Sequence, residues 1–166
     1  MTNKFYDPGP RRAARVGDLF AAIAHRYDLI NDLQSFGLHR YWKRQLTAMA
    51  RPQSGARALD LCCGTGDVTF ALARRGVEAI GLDFSEPMLA VAESRLKLQS
   101  SRFKVQGSKS NARSVQFLQG NALKTPFPDD SFDIVTVSYG LRNLAGWEDG
   151  LREMQRVARP GGRLLV

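Results

Sequence analysis

Cysteine is scarce in this sequence of 166 residues: Cys62 and Cys63 are the only two, and they are adjacent. Without a C-x-x-C pair or a second pair of cysteines, the spacing indicates neither a zinc site nor a disulfide framework. We therefore expect no bound metal. This cysteine usage fits the reduced cytoplasm.

Long hydrophobic runs are also missing. The longest uninterrupted apolar run, Leu19–Ala24, is much shorter than the roughly 20 residues that a membrane-spanning helix needs. The first residues, Met1–Asp7, lack the apolar centre of a signal peptide. We expect neither a membrane span nor a signal peptide.

The bulk composition is that of a globular protein, with 43% hydrophobic and 24% charged residues. These values exclude a disordered tail, a collagen-like fibre and a disulfide-rich miniprotein. A chain of this length buries about 70% of its unfolded surface, which is enough for one domain.

The charge of +8 is unevenly distributed. Residues 1–57 carry 10 basic and 4 acidic side chains, and residues 95–113 carry 6 basic and no acidic ones. Residues 58–94 carry 2 basic and 6 acidic side chains, and the remainder is balanced. Two basic blocks suggest nucleic acid or an anionic membrane surface as a partner. A solubilising coat is the alternative.

The first third of the chain predicts a flexible arm and two helices. Residues 1–15 contain Pro8, Pro10 and several arginines and form the arm. Residues 16–55 form the helical part, in which apolar side chains recur at helical spacing. Those of the first helix are Val16, Leu19, Phe20, Ile23, Tyr27 and Ile30; those of the second, which stops before Pro52, are Leu38, Trp42, Leu46 and Met49.

Residues 56–166 alternate between strands and helices, which predicts an α/β fold with a parallel sheet and helices on both faces. Residues 100–114 read as an exposed loop rich in Ser, Lys and Arg. Ser85 is expected to cap the helix that opens at Glu86 and runs to about Leu98. The predicted strands cover 58–61, 77–82, 115–118, 132–138 and 163–166, and the other predicted helices cover 68–75 and 147–158.

The predicted fifth strand follows a turn at Pro160-Gly161-Gly162 and reaches the last residue, Val166. Because an apolar edge strand needs neighbours and cover, we expect the domain to be truncated at this strand and the chain to be part of a longer one.

The glycine-rich loop of residues 59–67 joins the first strand of this region to the next helix. Gly64 and Gly66 allow a tight turn and the close approach of a ligand. Asp83 ends the following strand, where a carboxylate can accept both hydroxyls of a ribose. Glycines that merely shape the turn are the alternative.

Two cofactor classes compete for this loop. A nicotinamide site expects a third glycine where Thr69 stands, which weakens that interpretation. The loop follows Asp60, and Asp-x-x-x-Gly-x-Gly resembles the S-adenosylmethionine site of class I methyltransferases, whose fold is Rossmann-like.

Polar residues after the later strands indicate the same site. Asn121 and Ala122 follow the third predicted strand, and an Asn side chain can bond the edge of an adenine. Ser138 ends the fourth, at the carboxyl edge where ligands of such sheets bind. Each could be ordinary loop chemistry by itself, but together they favour a binding site.

Residues 17–166 resemble one family, the C-methyltransferases of menaquinone and ubiquinone biosynthesis. The glycine loop and Pro160-Gly161-Gly162 are general to class I methyltransferases. The more specific matches are residues 20–28, 31–32, 35–44, 81–85, 126–129 and 138–143.

The resemblance implies that Thr65, Asp83, Asn121, Ala122 and Ser138 contact S-adenosylmethionine. It also implies methylation of a ring carbon on a quinol with an isoprenoid tail, most closely demethylmenaquinol, with the ubiquinone-pathway benzoquinol as a further acceptor. Residues 100–114 look longer than the usual connection in this family. Family members also continue beyond Val166.

Ring methylation needs the electron-rich quinol and assistance with its phenolic proton. Arg142 and Asn143 follow the fourth predicted strand, where a permanent cation can hold a phenolate oxygen. The N-terminal helices are expected to lid the site. They carry the candidate bases Tyr27, Asp28, His25 and His39.

Three other interpretations stay open. A nucleic-acid methyltransferase explains the charge, but Ser138–Leu141 lacks the Asn/Asp-Pro-Pro-aromatic run of the amino-methylating enzymes, so we expect no nucleic-acid partner. A small-molecule methyltransferase of other specificity and an inactive truncated chain remain. Because the quinol is apolar, we expect peripheral contact with the cytoplasmic membrane surface through the basic blocks. The oligomeric state is left open.

Overall fold

A computed structural model describes residues 24–105 and 115–166. The predicted arm at 1–15 and the predicted helical residues before Ala24 lie outside this part of the chain. The described N-terminal elements are a short 3-10 turn, Ala24–Arg26, and two helices, α1 (Tyr27–Ser35) and α2 (Leu38–Met49). We call α1, α2 and the turn between them the helical hairpin.

The remaining elements alternate between strand and helix as the sequence predicts. In chain order they are β1 (Arg57–Leu61), α3 (Asp67–Ala73), β2 (Glu78–Asp83), α4 (Glu86–Val105), β3 (Val115–Gln119), β4 (Phe132–Val137), a 3-10 turn (Leu141–Asn143), α5 (Trp147–Val157) and β5 (Ala158–Leu165).

The strands form one parallel sheet of five strands in the order β3-β2-β1-β4-β5. The chain builds outward from β1 to β3 and then crosses back to place β4 on the other side of β1. The crevice at such a reversal, at the carboxyl ends of the strands, is where this kind of sheet binds ligands.

Both faces of the sheet are covered, which confirms the predicted layering. On one face Leu59, Leu82 and Val135 pack with Met154 and Val157 of α5. The opposite face carries small side chains at several positions and packs against α3 and the end of α2; the cluster contains Ala50, Ala58, Val68, Leu72, Val77, Ala79 and Ile134.

The predicted loop at 100–114 is wrong in its first part, because α4 continues to Val105. The serines, lysine and arginine of this stretch look loop-like, but Ser, Lys and Arg are all tolerated on a helix. The first residue after Leu98 that breaks a helix is Gly107. Residues 106–114 lie outside the described part.

Two further local predictions are wrong. Pro160-Gly161-Gly162 does not precede β5 but lies within it, where the pairing with β4 shifts register between Phe132 and Ile134. A bulge accommodates the extra residues, with Gly161 at a φ of 78°. The Ser85 hydroxyl does not cap α4, since it has no hydrogen-bond partner in the described structure.

Candidate active site

A cavity of about 640 Å³ lies at the carboxyl ends of β1 to β4, beneath α1. One end is formed by the residues after β1 and β2, and the other by α1 and the loop after β4. The lining residues used below are Tyr27, Ile30, Asn31, Gln34, Cys62, Gly64, Asp83, Ser85, Met88, Asn121, Ala122, Ser138, Tyr139, Arg142 and Asn143.

The glycine loop forms the floor at the β1 end. Gly64 lines the cavity at a φ of 54°, and a Cβ there would meet Met88 Cε at 3.1 Å. Gly66 has a φ of 86°, and a Cβ there would meet Phe117 Cζ at 2.7 Å. Only glycine combines this conformation with this close packing.

Asp83 is fixed by the backbone around it. Its Oδ2 accepts a hydrogen bond from the Gly64 N–H and its Oδ1 from the Ser85 N–H, each at 2.8 Å. Burial raises the pKa of Asp83, while these N–H donors act in the opposite direction. The carboxylate is therefore held at the cavity wall with acceptor capacity left for hydroxyl groups of a ligand.

The side chains near Asp83 fit an adenosyl group. Ser85 Oγ is buried at the cavity wall and has no hydrogen-bond partner among the described residues, which is unusual for a buried hydroxyl. Asn121 is exposed and its Oδ1 accepts from the Leu123 N–H at 2.9 Å, which aligns its amide. A sugar diol and a purine edge supply the donors and acceptors that these groups lack.

Thr65 and Gly66 do not belong to the cavity lining. Thr65 is 3% exposed, and its carbonyl accepts a hydrogen bond from Arg95 Nη1 at 2.8 Å. These predicted cofactor residues lie behind the wall that Gly64 forms. Their contact with a cofactor stays a prediction.

An ion-pair network, which we call the loop clamp, holds the glycine loop from behind. Asp67 Oδ2 pairs with Lys43 Nζ of α2 at 2.8 Å, and Asp67 Oδ1 pairs with Arg95 Nη2 of α4 at 2.6 Å. Burial would raise the pKa of Asp67, but Lys43 and Arg95 outweigh it and lower the pKa to about 2. The clamp links the helical hairpin to the loop.

Asp60 lies beneath the loop and does not reach the cavity. It is fully buried, and its two oxygens accept hydrogen bonds from Thr69 Oγ1 and Thr136 Oγ1, both at 2.7 Å. Burial raises its pKa to about 6 even though the threonines oppose the shift. Asp60 thus joins β1, α3 and β4 below the site.

The three predicted catalytic residues, Tyr27, Arg142 and Asn143, meet at the other end of the cavity. Tyr27 comes from α1, while Arg142 and Asn143 lie on the 3-10 turn after β4. The structure also places Ser138 and Tyr139 there. A phenolic hydroxyl, a permanent cation and an amide therefore surround a space bounded by apolar side chains.

Sequence reasoning missed part of this wall. Ile30, Asn31 and Gln34 line the cavity on the same face of α1 as Tyr27, and the helical spacing from Tyr27 could have identified them. Tyr139, at a φ of 62°, also lines it, but no sequence signal announces that conformation.

The other candidate bases are not brought to the cavity. His39 is buried, lies 2.9 Å from Ser35 Oγ through its Nδ1, and is not a lining residue. Burial and Lys43 lower its pKa, so the ring is neutral at pH 7. The side chains of His25 and Asp28 lie outside the described structure. Cys62 lines the cavity, but burial raises the pKa of its thiol to about 12, which keeps it protonated.

Solved structures share this fold. The YcgJ protein from Bacillus subtilis is 31% identical with a TM-score of 0.60, over 76% of this chain and 50% of that chain. A SAM-dependent methyltransferase from Geobacter sulfurreducens, in complex with S-adenosyl-L-homocysteine, is 27% identical with a TM-score of 0.58, over 74% and 46%. The fold and the site are those of S-adenosylmethionine-dependent class I methyltransferases.

The sequence defines the group within that class. The ubiE/COQ5 methyltransferase family matches residues 10–166, and the chain belongs to this family. The predicted family resemblance is thereby confirmed.

Relatives with established names lie within the same family. The ubiquinone/menaquinone biosynthesis C-methyltransferase UbiE of Azotobacter vinelandii is 41% identical over 96% of this chain and 60% of its own length. The demethylmenaquinone methyltransferase of Lactiplantibacillus plantarum is 44% identical over 90% and 60%. The chain thus spans about 60% of the length of these curated relatives.

Proposed function

We propose that the protein transfers a methyl group from S-adenosylmethionine to a ring carbon of a prenylated quinol, converting demethylmenaquinol to menaquinol. The ubiquinone-pathway benzoquinol is a second acceptor. The observation that carries the proposal is the single cavity, in a member of the ubiE/COQ5 family, with Asp83 at one end and Tyr27 and Arg142 at the other.

Residues 56–166 would hold the methyl donor. Asp83 accepts hydrogen bonds from the ribose hydroxyls, Asn121 and Ala122 meet the adenine, and Ser138 faces the reacting end. Gly64 admits the cofactor close to the backbone, and Thr65 and Gly66 hold the loop in shape. S-adenosylmethionine supplies an electrophilic methyl group on a sulfonium.

The residues at the α1 end would orient and activate the acceptor. Arg142 holds the phenolate oxygen that increases electron density on the neighbouring ring carbon. Asn143 and Tyr27 bond the ring hydroxyls, and Tyr27 accepts or relays the phenolic proton. The helical hairpin lids the reaction and keeps water out, so the main contribution of the protein is alignment of the reacting groups.

The acceptor also bears on where the protein works. A quinol with an isoprenoid tail dissolves in the bilayer, so the protein acts at the cytoplasmic surface of the membrane and does not need nucleic acid. The excess of basic side chains in residues 1–57 and 95–113 favours an anionic headgroup layer, at about 1 kcal/mol per Lys or Arg near the surface.

The test compares two redox states of one acceptor. Demethylmenaquinone with a short isoprenoid tail is presented with S-adenosylmethionine, either chemically reduced under anaerobic conditions or oxidised, and the methylated ring is detected by mass spectrometry. We expect methylation of the quinol only, because the quinone ring is too electron-poor. Equal methylation of the quinone, or none of the quinol, would contradict the proposal.

A further inference from the structure

The outer side of the helical hairpin is apolar although it does not pack against the body of the protein. Phe36, at the turn, is 95% exposed and Leu33 is 69% exposed. Leu38, Tyr41 and Trp42 of α2 are each about half exposed. We call these five residues the hairpin strip. Contiguous exposed apolar surface of this kind marks an interaction site.

The strip follows from the spacing of side chains on α2. His39, Leu46 and Thr47 point inward, where His39 and Thr47 are buried and Leu46 packs against the cluster below the sheet. Leu38, Tyr41 and Trp42 are spaced by three and four residues and occupy another face. The helix therefore has an inner face that stabilises the fold and an apolar outer face that does not.

The strip is continuous with the rim of the cavity. The ring of Trp42 lies 6.4 Å from that of Tyr139, which lines the cavity. On α1, the face that carries Ile30 and Gln34 lines the cavity, while Leu33 points outward. The hairpin thus separates the cavity from the surface on which the strip lies.

Positive charge accompanies the apolar strip. Residues 24–51 contain five basic and two acidic side chains. Arg40 and Arg44, on α2 between the strip residues, are exposed. Tryptophan, tyrosine and arginine next to exposed leucine and phenylalanine form the composition that settles at the boundary between lipid headgroups and acyl chains.

We propose that the hairpin strip docks on the surface of an anionic bilayer, with Phe36 and Leu33 inserted among the lipids and the basic side chains at the headgroups. This inference rests on the proposed function, because a bilayer-dissolved quinol would then enter between the strip and Tyr139. No helix within residues 24–105 and 115–166 is long and apolar enough to cross a membrane. Docking would be peripheral.

Vesicle binding tests the proposal. The protein is sedimented with vesicles of phosphatidylglycerol and phosphatidylcholine, or of phosphatidylcholine alone. We expect anionic vesicles to bind the wild type more tightly. The double variant Leu33→Ser/Phe36→Ser should lower the partition coefficient at least about tenfold, since two apolar side chains no longer enter the lipid.

The matched control is Leu98→Ser. Leu98 is 64% exposed on α4, away from the hairpin, and its substitution should leave vesicle binding unchanged. A second measurement uses the Trp147→Phe background, in which Trp42 is the remaining tryptophan. Brominated phosphatidylglycerol should then quench the fluorescence of Trp42.

Three results would overturn the docking site: wild-type protein that ignores anionic vesicles, a double variant that binds like the wild type, or unquenched Trp42. A dimer that the double variant dissociates in sedimentation velocity would assign the strip to a second copy instead. Methyl transfer to the short-tailed quinol separates this inference from the proposed function. Leu33 and Phe36 do not line the cavity, so the double variant should keep that rate. A wild type without it would refute the proposed function itself.

Discussion

The loop clamp yields a quantitative prediction for Asp67→Asn. The pKa of Asp67 is about 2 in the folded protein against an ordinary value of 3.8. A difference of this size corresponds to about 2 kcal/mol of folding free energy contributed by the ionised carboxylate. The Asp67 and Lys43 side chains are 26% and 15% exposed, so solvent screens the pair only in part. We expect the substitution to lower the free energy of unfolding by about 2 kcal/mol at pH 7.

The dependence on pH follows from the sign of the shift. Because the folded pKa is depressed, the stabilisation is complete well above 3.8 and disappears as the pH falls through about 2. The difference between wild type and variant should be constant from pH 5 to pH 7 and vanish near pH 2. The pKa of Asp60 is raised to about 6, so stability also falls as the pH rises past that value, but this cancels in the difference.

Urea denaturation followed by circular dichroism measures the difference at each pH. The matched control is Asp149→Asn, which removes a first-turn carboxylate from α5 that pairs with Arg152 at the surface. That change should cost less than about 1 kcal/mol. If Asp67→Asn cost no more than the control, or if its effect persisted undiminished at pH 2, the reasoning about the clamp would be wrong.

Two further predictions concern the glycine loop and the acceptor end. Gly66→Ala combines a positive φ with a contact at 2.7 Å to Phe117, and should lower the free energy of unfolding by about 2–4 kcal/mol. Gly161→Ala, also at positive φ but with nothing within 4 Å, should cost only about 1–2 kcal/mol, and equal losses of thermal stability would refute the steric argument. Arg142→Ala should lower kcat for the quinol at least about a hundredfold and leave the dissociation constant of S-adenosylmethionine within about twofold. Arg152→Ala is its surface control, and a parallel loss of cofactor affinity would show that Arg142 only anchors the loop.

The sheet could be predicted because each of its strands is locally encoded. Apolar runs such as 58–61 and 132–137 are bounded by glycines, prolines or polar residues, and the alternation with helices implies parallel pairing. The end of α4 could not be predicted this way. Ser, Lys and Arg indicate exposure, and exposure alone does not separate a solvated helix from a loop.

The cofactor end of the site could be predicted because the ends of parallel strands converge. Asp83, Asn121 and Ser138 each follow a strand, and they line one cavity. The position of Thr65 behind that wall depends on Arg95, which is distant in sequence. Periodicity likewise defines the faces of α1 and α2 but not their partners, so the cavity lining and the hairpin strip needed the structure.

The central claim is that this cavity binds S-adenosylmethionine through Asp83. Isothermal titration of S-adenosylmethionine into the wild-type protein and into Asp83→Asn tests it most directly. We predict one binding site per chain, and an affinity at least about tenfold lower in the variant, because Asn cannot offer a charged acceptor to both ribose hydroxyls. Heat release that is absent from the wild type, or identical in the variant, would contradict the account.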